Sequence, residues 1–377
     1  MADVIIRSVE SAGSRLGREF IQLPHRLYQG CPQWVPQFRL DMRAILNRKH
    51  PFFDRSEAGF FVCQRDGRTV GTIAAFNNIP YNEYHRTGTG HFHFFDCEDD
   101  SAASHALFQA AFTWMRQKGL RDVLGPLGFG VMGMGVLVEG FQHRAAMTMM
   151  SYNHPYYERL VEAEGFRRHR DELSMFLDAA AFRLPDRIRR VADIAMKRGS
   201  FEVPDIRTKS ALRRYAHAIG KVYNESFQSH GDEYNPLSPR EIAQVTRELL
   251  QVADPSLVKL LLSKGEIAGF LFGFPDLSDA LQKGRGRLTP VSILRLLREY
   301  KRTRGLVVNG AGILPKYQRL GGNALLYSML EKIASQRRFA YVDAVQIAET
   351  TELMLADLQT LGAKVFKKHR LYLKELA

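Results

Sequence analysis

The residues with the clearest chemical meaning are a glutamine, an arginine and two glycines that precede an apolar helical pattern. Gln318, Arg319, Gly321 and Gly322 follow an apolar segment over 305–314. Glycines let backbone amides approach a ligand closely, and the helical period that follows directs those amides out of a helix N-terminus. This arrangement favours an anion, and a phosphate group is the commonest anion bound in this way.

The segments around this loop predict alternating strands and helices. They comprise a hairpin upstream (257–262 and 267–274) and, downstream, a strand (341–347), an amphipathic helix (349–361, stopped by Gly362) and a closing strand (367–373). Apolar periodicity, turn residues and the terminating glycine support each assignment. The sequence therefore predicts an α/β fold with a mixed sheet.

The loop resembles the pyrophosphate-binding loop of the GCN5-related N-acetyltransferase (GNAT) superfamily. Two frames fit the family pattern: Pro315, Gln318 and Gly321 with Asn323 at the second small position, or Arg319, Gly322 and Ala324 one residue on. The resemblance covers roughly 211–377 and implies acyl-CoA or acetyl-CoA as co-substrate, with no metal. The residues implied to hold it are Gly312, Ile313, Leu314, Gln318, Arg319, Leu320, Gly321, Gly322, Asn323 and Ala324.

The first half of the chain resembles a second, degenerate copy of the same domain. It has a hairpin over 60–76, a strand over 90–95 and a helix that ends in Gly165-Phe166. Where the phosphate loop belongs, carboxylates crowd 96–101 and would repel a diphosphate, although helix capping is their commoner role. We therefore expect a degenerate domain over 1–180, a connecting segment over 181–210 and a CoA-binding domain over 211–377.

Several short segments across the chain are similar to bacterial tandem GNAT-like proteins, a wider group that includes the bacterial ceramide synthase. They are 31–36, 50–53, 125–126, 152–157 and 368–372. The resemblance implies an N-acyltransferase that moves an acyl group from a CoA thioester to an amine, with a long-chain sphingoid-type amine as one acceptor. The alternative is a non-catalytic acyl-CoA or lipid-binding protein.

Catalytic candidates follow from the chemistry that such a fold performs. An amine must be neutral to attack a thioester, so a base is needed, and Glu349 is our choice with Asp343 in reserve. Glu349 could equally be a helix N-terminal acid, and His369 and His154 are substitutes whose commoner role is structural. The family's Asn position holds Thr351 and its tyrosine acid is replaced by Leu358, which favours the non-catalytic alternative.

Composition bounds the class of protein. The chain has 377 residues, 45% hydrophobic and 25% charged, so we expect a globular protein of two domains. Its three cysteines lack metal-ligand spacing and fit a reducing compartment. No signal peptide or apolar run of about 20 residues is visible, and we expect a cytoplasmic protein, with contact at the inner membrane face left open.

A basic segment near residue 295 raises the question of a surface partner. The net charge is +13, and cations crowd 283–304 while Val291, Ile293, Leu294 and Leu297 keep a helical period. Such a helix packs on a sheet, lies on an anionic bilayer or binds nucleic acid. We expect packing first and membrane contact second. Nucleic acid is last, because no stacking aromatics accompany the charge.

Overall fold

The computed structural model describes residues 3–129, 134–147, 149–227, 238–243, 247 and 254–376. Within them the chain forms two compact units, each built from separated segments. The first unit contains 1–173, 277–299 and 367–377, and the second contains 174–276 and 300–366. The predicted boundaries at 180 and 210, which assumed continuous domains, stay predictions.

The first unit is built on a mixed sheet with the order β1-β2-β3-β4-β5-β12, and β6 also pairs with β12. Its strands are β1 Val4–Ser8, β2 Glu57–Arg65, β3 Arg68–Asn77, β4 Thr89–Cys97, β5 Asp122–Gly125, β6 Val136–Glu139 and the end of β12 Lys364–Glu375. Residues Tyr372–Glu375 of β12 pair antiparallel with β5. The last residues of the chain therefore complete the sheet of the first unit.

Helices cover both faces of this sheet in the described part of the first unit. They are α1 Arg15–Leu27, α2 Arg39–Leu46, α3 Ile79–His85, α4 Ser101–Gln117, α5 Tyr156–Glu162 and α8 Ser278–Gly284. One apolar cluster packs α4 and α5 on the sheet around Phe92, Phe108 and Tyr372, and a second packs α1 and α2 around Phe20 and Phe60. The predicted hairpin and strand of this half are confirmed as β2, β3 and β4.

The second unit has the strand order β7-β11-β10-β9-β8. Its elements are β7 Arg167–Asp178, α6 Asp186–Lys197, α7 Lys209–Phe227, β8 Val258–Ser263, β9 Glu266–Pro275, β10 Gly305–Ile313, α10 Gly322–Gln336, β11 Tyr341–Ala348 and α11 Glu352–Thr360. Strands β8 and β9 form the predicted hairpin. Strand β11 and helix α11 are confirmed too, with α11 starting three residues later than predicted.

Helix α9 is Pro290–Arg302, and its residues up to Glu299 belong to the first unit. Ser292 is its one buried residue, so the apolar side chains predicted to line one face are uncovered. No helix in the described ranges is long and apolar enough to cross a membrane.

Candidate functional site

The second unit contains a cleft where two parallel strands separate. Strands β10 and β11 pair from Gly305↔Tyr341 to Val308↔Ala344, and no pairing follows although both strands continue. The residues of β10 change from buried over 305–308 to partly exposed over 309–313. The strands therefore open into a V beyond Val308 and Ala344.

A β-bulge in β10 accompanies this opening. On its other side β10 pairs with β9, and the register shifts between Val308 and Ala311. Gly310 lies in the bulge with φ +101°, a conformation that glycine adopts most readily. Across the gap, Asn309 Nδ2 donates to Gln346 Oε1 at 2.9 Å, so side chains link the strands where the backbone no longer does.

The bulge sets which backbone amides face the cleft. The Leu314 amide donates to Ala268 O on the β9 side at 2.9 Å. Because alternate residues of a strand direct their amides to opposite sides, the amides of Ala311 and Ile313 face the open side. Backbone amides in this position can donate to the carbonyl oxygen of a ligand that lies in the cleft.

The predicted phosphate loop lies at the mouth of this cleft. After a 3₁₀ turn over Pro315–Tyr317, the side chains of Gln318, Arg319 and Leu320 are exposed. Lys316 Nζ donates to Glu266 at 2.6 Å, and this hydrogen bond raises the pKa of Lys316. The loop is thus anchored on the β8–β9 hairpin and presents Arg319 to solvent.

Helix α10 starts directly after the loop. Gly321 is its N-cap with φ +85°, and the first backbone hydrogen bond runs from the Leu325 amide to Gly321 O at 3.2 Å. The amides of Gly322, Asn323 and Ala324 precede that bond, so they have no partner within the helix. Three donors and the positive end of the helix dipole therefore converge on one point.

The two glycines serve a purpose that sequence reasoning missed. A Cβ on Gly321 would lie 2.9 Å from Ala195 Cβ, and one on Gly322 would lie 2.6 Å from Ile313 Cδ1. Their missing side chains thus face protein, on α6 and β10, and not the anion. The glycines let the start of α10 pack closely against α6 and β10, and this packing sets the direction of its first amides.

The predicted catalytic residues lie at different depths of β11 and the turn after it. Asp343 is 6% exposed and lies in the paired part of β11, opposite Val307. Glu349 is partly exposed and lies in the turn that follows β11, past the point where the strands separate. Of the two, Glu349 is placed beyond the opening of the cleft, and both roles stay predictions.

Helix α11 carries the two departures from the family pattern. The Thr351 hydroxyl donates to Ala348 O at 2.7 Å and closes the turn before the helix. Leu358 is 9% exposed and packs in the apolar interior. Near it, Tyr327 of α10 donates to Asp357 Oδ2 at 2.9 Å, and burial, then Asp357, raises the pKa of this tyrosine.

The two histidines named as substitutes belong to the first unit. His369 is fully buried with Nε2 2.8 Å from Ser151 O, and burial lowers its pKa to about 4. His154 Nε2 lies 3.2 Å from Leu27 O and its ring stacks on Tyr28. Both have the partners expected of structural histidines.

In the first unit, β4 and β5 also stop pairing part of the way along, and a side chain occupies the space between them. Strands β4 and β5 pair only from Thr89↔Asp122 to His91↔Leu124, and β4 has a register shift between Ala74 and Thr72 of β3. In this V the Cys97 amide donates to Tyr157 Oη at 3.1 Å. A side chain thus already satisfies a backbone donor of the kind that the second unit leaves open.

The carboxylates after β4 are largely neutralised. Glu98 pairs with Arg26 at 3.0 Å and Arg68 at 2.6 Å, and Asp99 pairs with Arg159. The predicted capping role is confirmed for Asp100, whose Oδ1 accepts the Ala102 and Ala103 amides at 3.0 and 3.1 Å. A helix start already occupied by a carboxylate has no room for a diphosphate.

A cavity of about 110 Å³ lies in the first unit beside this V. Asp96, His93, Tyr28, Trp34 and Tyr157 are among its lining residues. Within the described residues, no group of three or more His, Cys, Asp or Glu side chains is placed to hold a metal ion.

Comparisons with known proteins agree with this architecture. A tandem GNAT protein from the clavulanic acid biosynthesis pathway superposes with a TM-score of 0.57 at 12% identity, covering 100% of this chain and 99% of that one. The GCN5-related glucosamine N-acetyltransferase region of a fungal β-N-acetylglucosaminidase gives 0.58 at 12% identity, covering 99% of this chain and 38% of that one. The chain therefore has the GNAT fold, and the likeness to a tandem protein spans its whole length.

Two curated proteins are similar over nearly the whole sequence. Protein YghO of Escherichia coli K12 is 24% identical over 95% of this chain and 93% of its own length. The bacterial ceramide synthase of Caulobacter vibrioides is 26% identical over 95% of this chain and 94% of its own length. No protein-family model matches the chain.

Proposed function

We propose that this protein is an acyl-CoA-dependent N-acyltransferase. One observation carries the proposal: the V between β10 and β11 opens beside the N-terminus of α10, where three helix amides and Arg319 converge. A diphosphate at the helix end would direct the arm of the thioester along the V. The GNAT fold, found in the solved structures above, supports this reading.

The residues of the cleft have distinct tasks in such a transfer. The amides of Ala311 and Ile313 donate to the thioester carbonyl and stabilise the charge that develops on its oxygen. Glu349 accepts the proton that the attacking amine gives up. The CoA sulfur departs as a thiolate, which a thiol pKa of about 8.5 permits without an acid at Leu358.

The acceptor we propose is a long-chain amine of the sphingoid type. The support is the name of the Caulobacter relative, together with its similarity over 95% of this chain. The cleft itself specifies the donor more closely than the acceptor, because the loop and the strand edge both contact the thioester side.

The test follows free thiol while the full-length protein is incubated with acetyl-CoA or a long-chain acyl-CoA and a panel of amines. We expect thiol release that requires an amine. Arg319→Glu should raise the acyl-CoA concentration needed by about tenfold or more, because a repulsive charge replaces an attractive one. Lys332→Glu, the same charge change at an exposed position of α10, is the matched control.

A second candidate is favoured by one observation, the buried Leu358 where the family has its tyrosine acid. In that case the protein binds acyl-CoA or a lipid without turnover. Tight acyl-CoA binding that Arg319→Glu weakens, with no thiol release for any amine, would establish this alternative. Equal affinity of both charge variants would contradict the loop assignment in either case.

A further inference from the structure

The carboxylate of Asp96 in the first unit has no counterion. Its Oδ1 accepts hydrogen bonds from Tyr28 at 3.0 Å and Tyr157 at 3.3 Å, and no Lys or Arg in the described part of the chain forms an ion pair with it. Its neighbours Glu98, Asp99 and Asp100 each pair with an arginine. Asp96, near the end of β4, is therefore the exception among the carboxylates over 96–100.

The burial of Asp96 without a counterion changes its pKa. Burial raises the pKa of Asp96 to about 6, although the hydroxyls of Tyr28 and Tyr157 and the charge of His154 act in the opposite direction. A carboxylate in this state is stabilised by any cation that reaches it.

The cavity wall beside Asp96 is aromatic. Tyr28 stacks on Trp34 with ring centroids 5.2 Å apart and 21° between the planes, and both rings line the cavity. Because the ring of Tyr28 stacks on both Trp34 and His154, the attraction of an aromatic ring quadrupole for a cation is left to Trp34. The aromatic wall and the Asp96 carboxylate therefore both favour a positively charged ligand.

A second polar group in the cavity has no hydrogen-bond partner among the described residues. His93 lines the cavity and is 8% exposed, and its Nδ1 has no hydrogen-bond partner among the described residues. Burial lowers the pKa of His93 to about 4, so the ring is neutral at pH 7 and does not repel a cation. A buried polar atom without a partner is costly unless a ligand or water meets it.

The arginines near the cavity lie beside His25 and not beside Asp96. Burial and then Arg39, Arg287 and Arg285 lower the pKa of His25, which also lines the cavity, to about 4. The same arginines are not among the groups that shift the pKa of Asp96. The Asp96 end of the cavity therefore keeps its negative character.

We infer that this cavity binds the ammonium group of a primary amine, with Asp96 as counterion and the rings of Tyr28 and Trp34 along its wall. Its volume of about 110 Å³ admits the head of a ligand and a short stretch of chain. The site goes beyond the proposed acyl transfer, and binding there does not depend on the cleft in the second unit.

The experiment titrates the full-length protein with n-hexylammonium chloride and with 1-hexanol by isothermal calorimetry at pH 7.5. We expect the ammonium ion to bind and the alcohol, which has the same chain without the charge, to bind at least about tenfold more weakly. Trp34 fluorescence should change on binding, because its ring forms the wall.

Two variants separate this site from general charge effects. Asp96→Asn keeps the acceptor for both tyrosines and should weaken ammonium binding by about tenfold or more. Glu98→Gln removes the same charge two residues along the chain, where the carboxylate already pairs with arginines. This variant should leave binding unchanged. Equal binding of amine and alcohol, an unaffected Asp96→Asn variant, or no amine binding at all would overturn the inference.

A different observation carries a second inference, about the surface formed by α2 and by the segment 285–298. Five large apolar side chains are uncovered there: Leu40 at 57%, Leu288 at 44%, Val291 at 58%, Leu294 at 68% and Leu297 at 59% exposed. The two segments contact each other, since the Arg39 amide donates to Gly286 O at 2.9 Å. They form one surface, which we call the basic apolar surface.

Arginines outnumber acids around these side chains. The two segments carry Arg39, Arg43, Arg285, Arg287, Arg295 and Arg298 and one acid, Asp41. Arg39 donates to Arg285 O and Gln22 Oε1, and Arg295 donates to Lys283 O, which are uncharged acceptors. The pKa of Arg39 is lowered by burial and then by the charges of Arg287, Arg43 and Arg285. Six arginines beside one acid favour a partner that carries many negative charges.

We propose that the basic apolar surface docks on an anionic lipid bilayer. The leucines and valine would enter the boundary between headgroups and acyl chains, and the arginines would contact lipid phosphates. Charge complementarity selects this partner over a second copy of the chain, whose identical surface would repel it.

Vesicle co-sedimentation of the full-length protein tests this surface. We expect binding to phosphatidylcholine vesicles that contain phosphatidylglycerol, weak binding to pure phosphatidylcholine, and a decrease as salt is raised. Arg295→Gln with Arg298→Gln should weaken binding by at least about tenfold, as should Leu294→Gln with Leu297→Gln. Leu353→Gln, at an 87% exposed leucine of α11, is the control that should bind normally.

Several results would overturn the second inference. These are equal binding to neutral and anionic vesicles, unchanged binding of the Leu294→Gln and Leu297→Gln variant, or self-association through this helix with no vesicle binding. Analytical ultracentrifugation of the same variants reports the last of these directly.

Discussion

At the scale of single residues, the two loop glycines illustrate what a sequence motif conveys and what it conceals. The spacing of Gln318, Gly321 and Gly322 was enough to predict an anion loop at a helix start. It could not reveal that a side chain at Gly321 would meet Ala195 or that one at Gly322 would meet Ile313, because both contacts arise only when the chain folds. The motif located the start of α10, its role in binding an anion stays a prediction, and packing gives a further reason for the glycines.

Gly321→Ala should therefore destabilise the fold. A left-handed conformation costs a side chain about 1–2 kcal/mol, and contact with Ala195 Cβ adds to it. Gly312→Ala is the control, since its nearest neighbour would be 3.9 Å away and its φ is not positive. Urea unfolding measures both, and an equal free energy of unfolding for the two variants would contradict this view of the loop.

The acidity of Asp96 gives a prediction with a definite sign. Its pKa is raised to about 6 from 3.8, so the folded protein binds this proton more tightly than the unfolded chain does. The contribution of Asp96 to stability should fall as pH rises from about 4 to about 6. The groups facing it are Tyr28, Tyr157 and His154.

Asp96→Asn should accordingly raise the free energy of unfolding at pH 7 by about 1–3 kcal/mol, and by less near pH 4. The Asn side chain still accepts hydrogen bonds from the tyrosines. Urea unfolding at the two pH values measures the difference. A variant less stable than the wild type at pH 7 would show that Asp96 is stabilised by a cation or donor that the structure does not place there.

At the scale of elements, α6 explains how the loop is held. Gly321 packs on this helix, and Glu331 of α10 accepts from Arg189 at 3.0 Å and from the Leu184 amide at 2.8 Å. The segment 181–210, which the sequence suggested only as a connection, thus supports the helix that would bind the anion.

Glu331→Gln should weaken the contact between α6 and α10. Burial raises the pKa of Glu331, but the hydrogen bonds from Arg189 and Leu184 outweigh it and leave the pKa below its usual value. We expect a loss of about 1 kcal/mol at pH 7, modest because Arg189 is 45% exposed. The difference between wild type and variant should shrink as pH falls through the lowered pKa, and urea unfolding at pH 7 and pH 3.5 checks it.

The separation of strands β10 and β11 is the element-scale feature that sequence patterns did not supply. The sequence predicted a strand over 341–347 and an apolar segment over 305–314, both close to the observed ends of β11 and β10. Where pairing stops depends on the bulge at Gly310 and on partners in β9, which are contacts between distant segments. Local periodicity therefore predicts strands, while the cleft between them is a property of the assembled sheet.

At the scale of the whole molecule, the end of the chain belongs to the first unit. Tyr372 is fully buried there, and Tyr372–Glu375 pair with β5. The sequence predicted this strand but assigned it to the C-terminal domain, since nothing in an alternating pattern states which strand it will meet. The tandem fold was predicted from motifs, and the solved structures confirm it.

Removal of residues 372–377 should destabilise the first unit selectively. The chain has two tryptophans, and both Trp34 and Trp114 lie in that unit. We expect their fluorescence to report unfolding at a lower urea concentration, because a buried tyrosine is worth about 3–5 kcal/mol. An unchanged tryptophan transition would mean that the last strand does not complete this unit.

The central claim is that the helix start at Gly322 holds the diphosphate of CoA and that the first unit has no equivalent site. The most direct measurement is hydrogen–deuterium exchange of the full-length protein with and without CoA, resolved to peptides over 314–326 and 96–104. We expect slower exchange over 314–326 that Arg319→Glu abolishes and Lys332→Glu preserves, with no change over 96–104. Protection over 96–104, or none over 314–326 at saturating CoA, would contradict it.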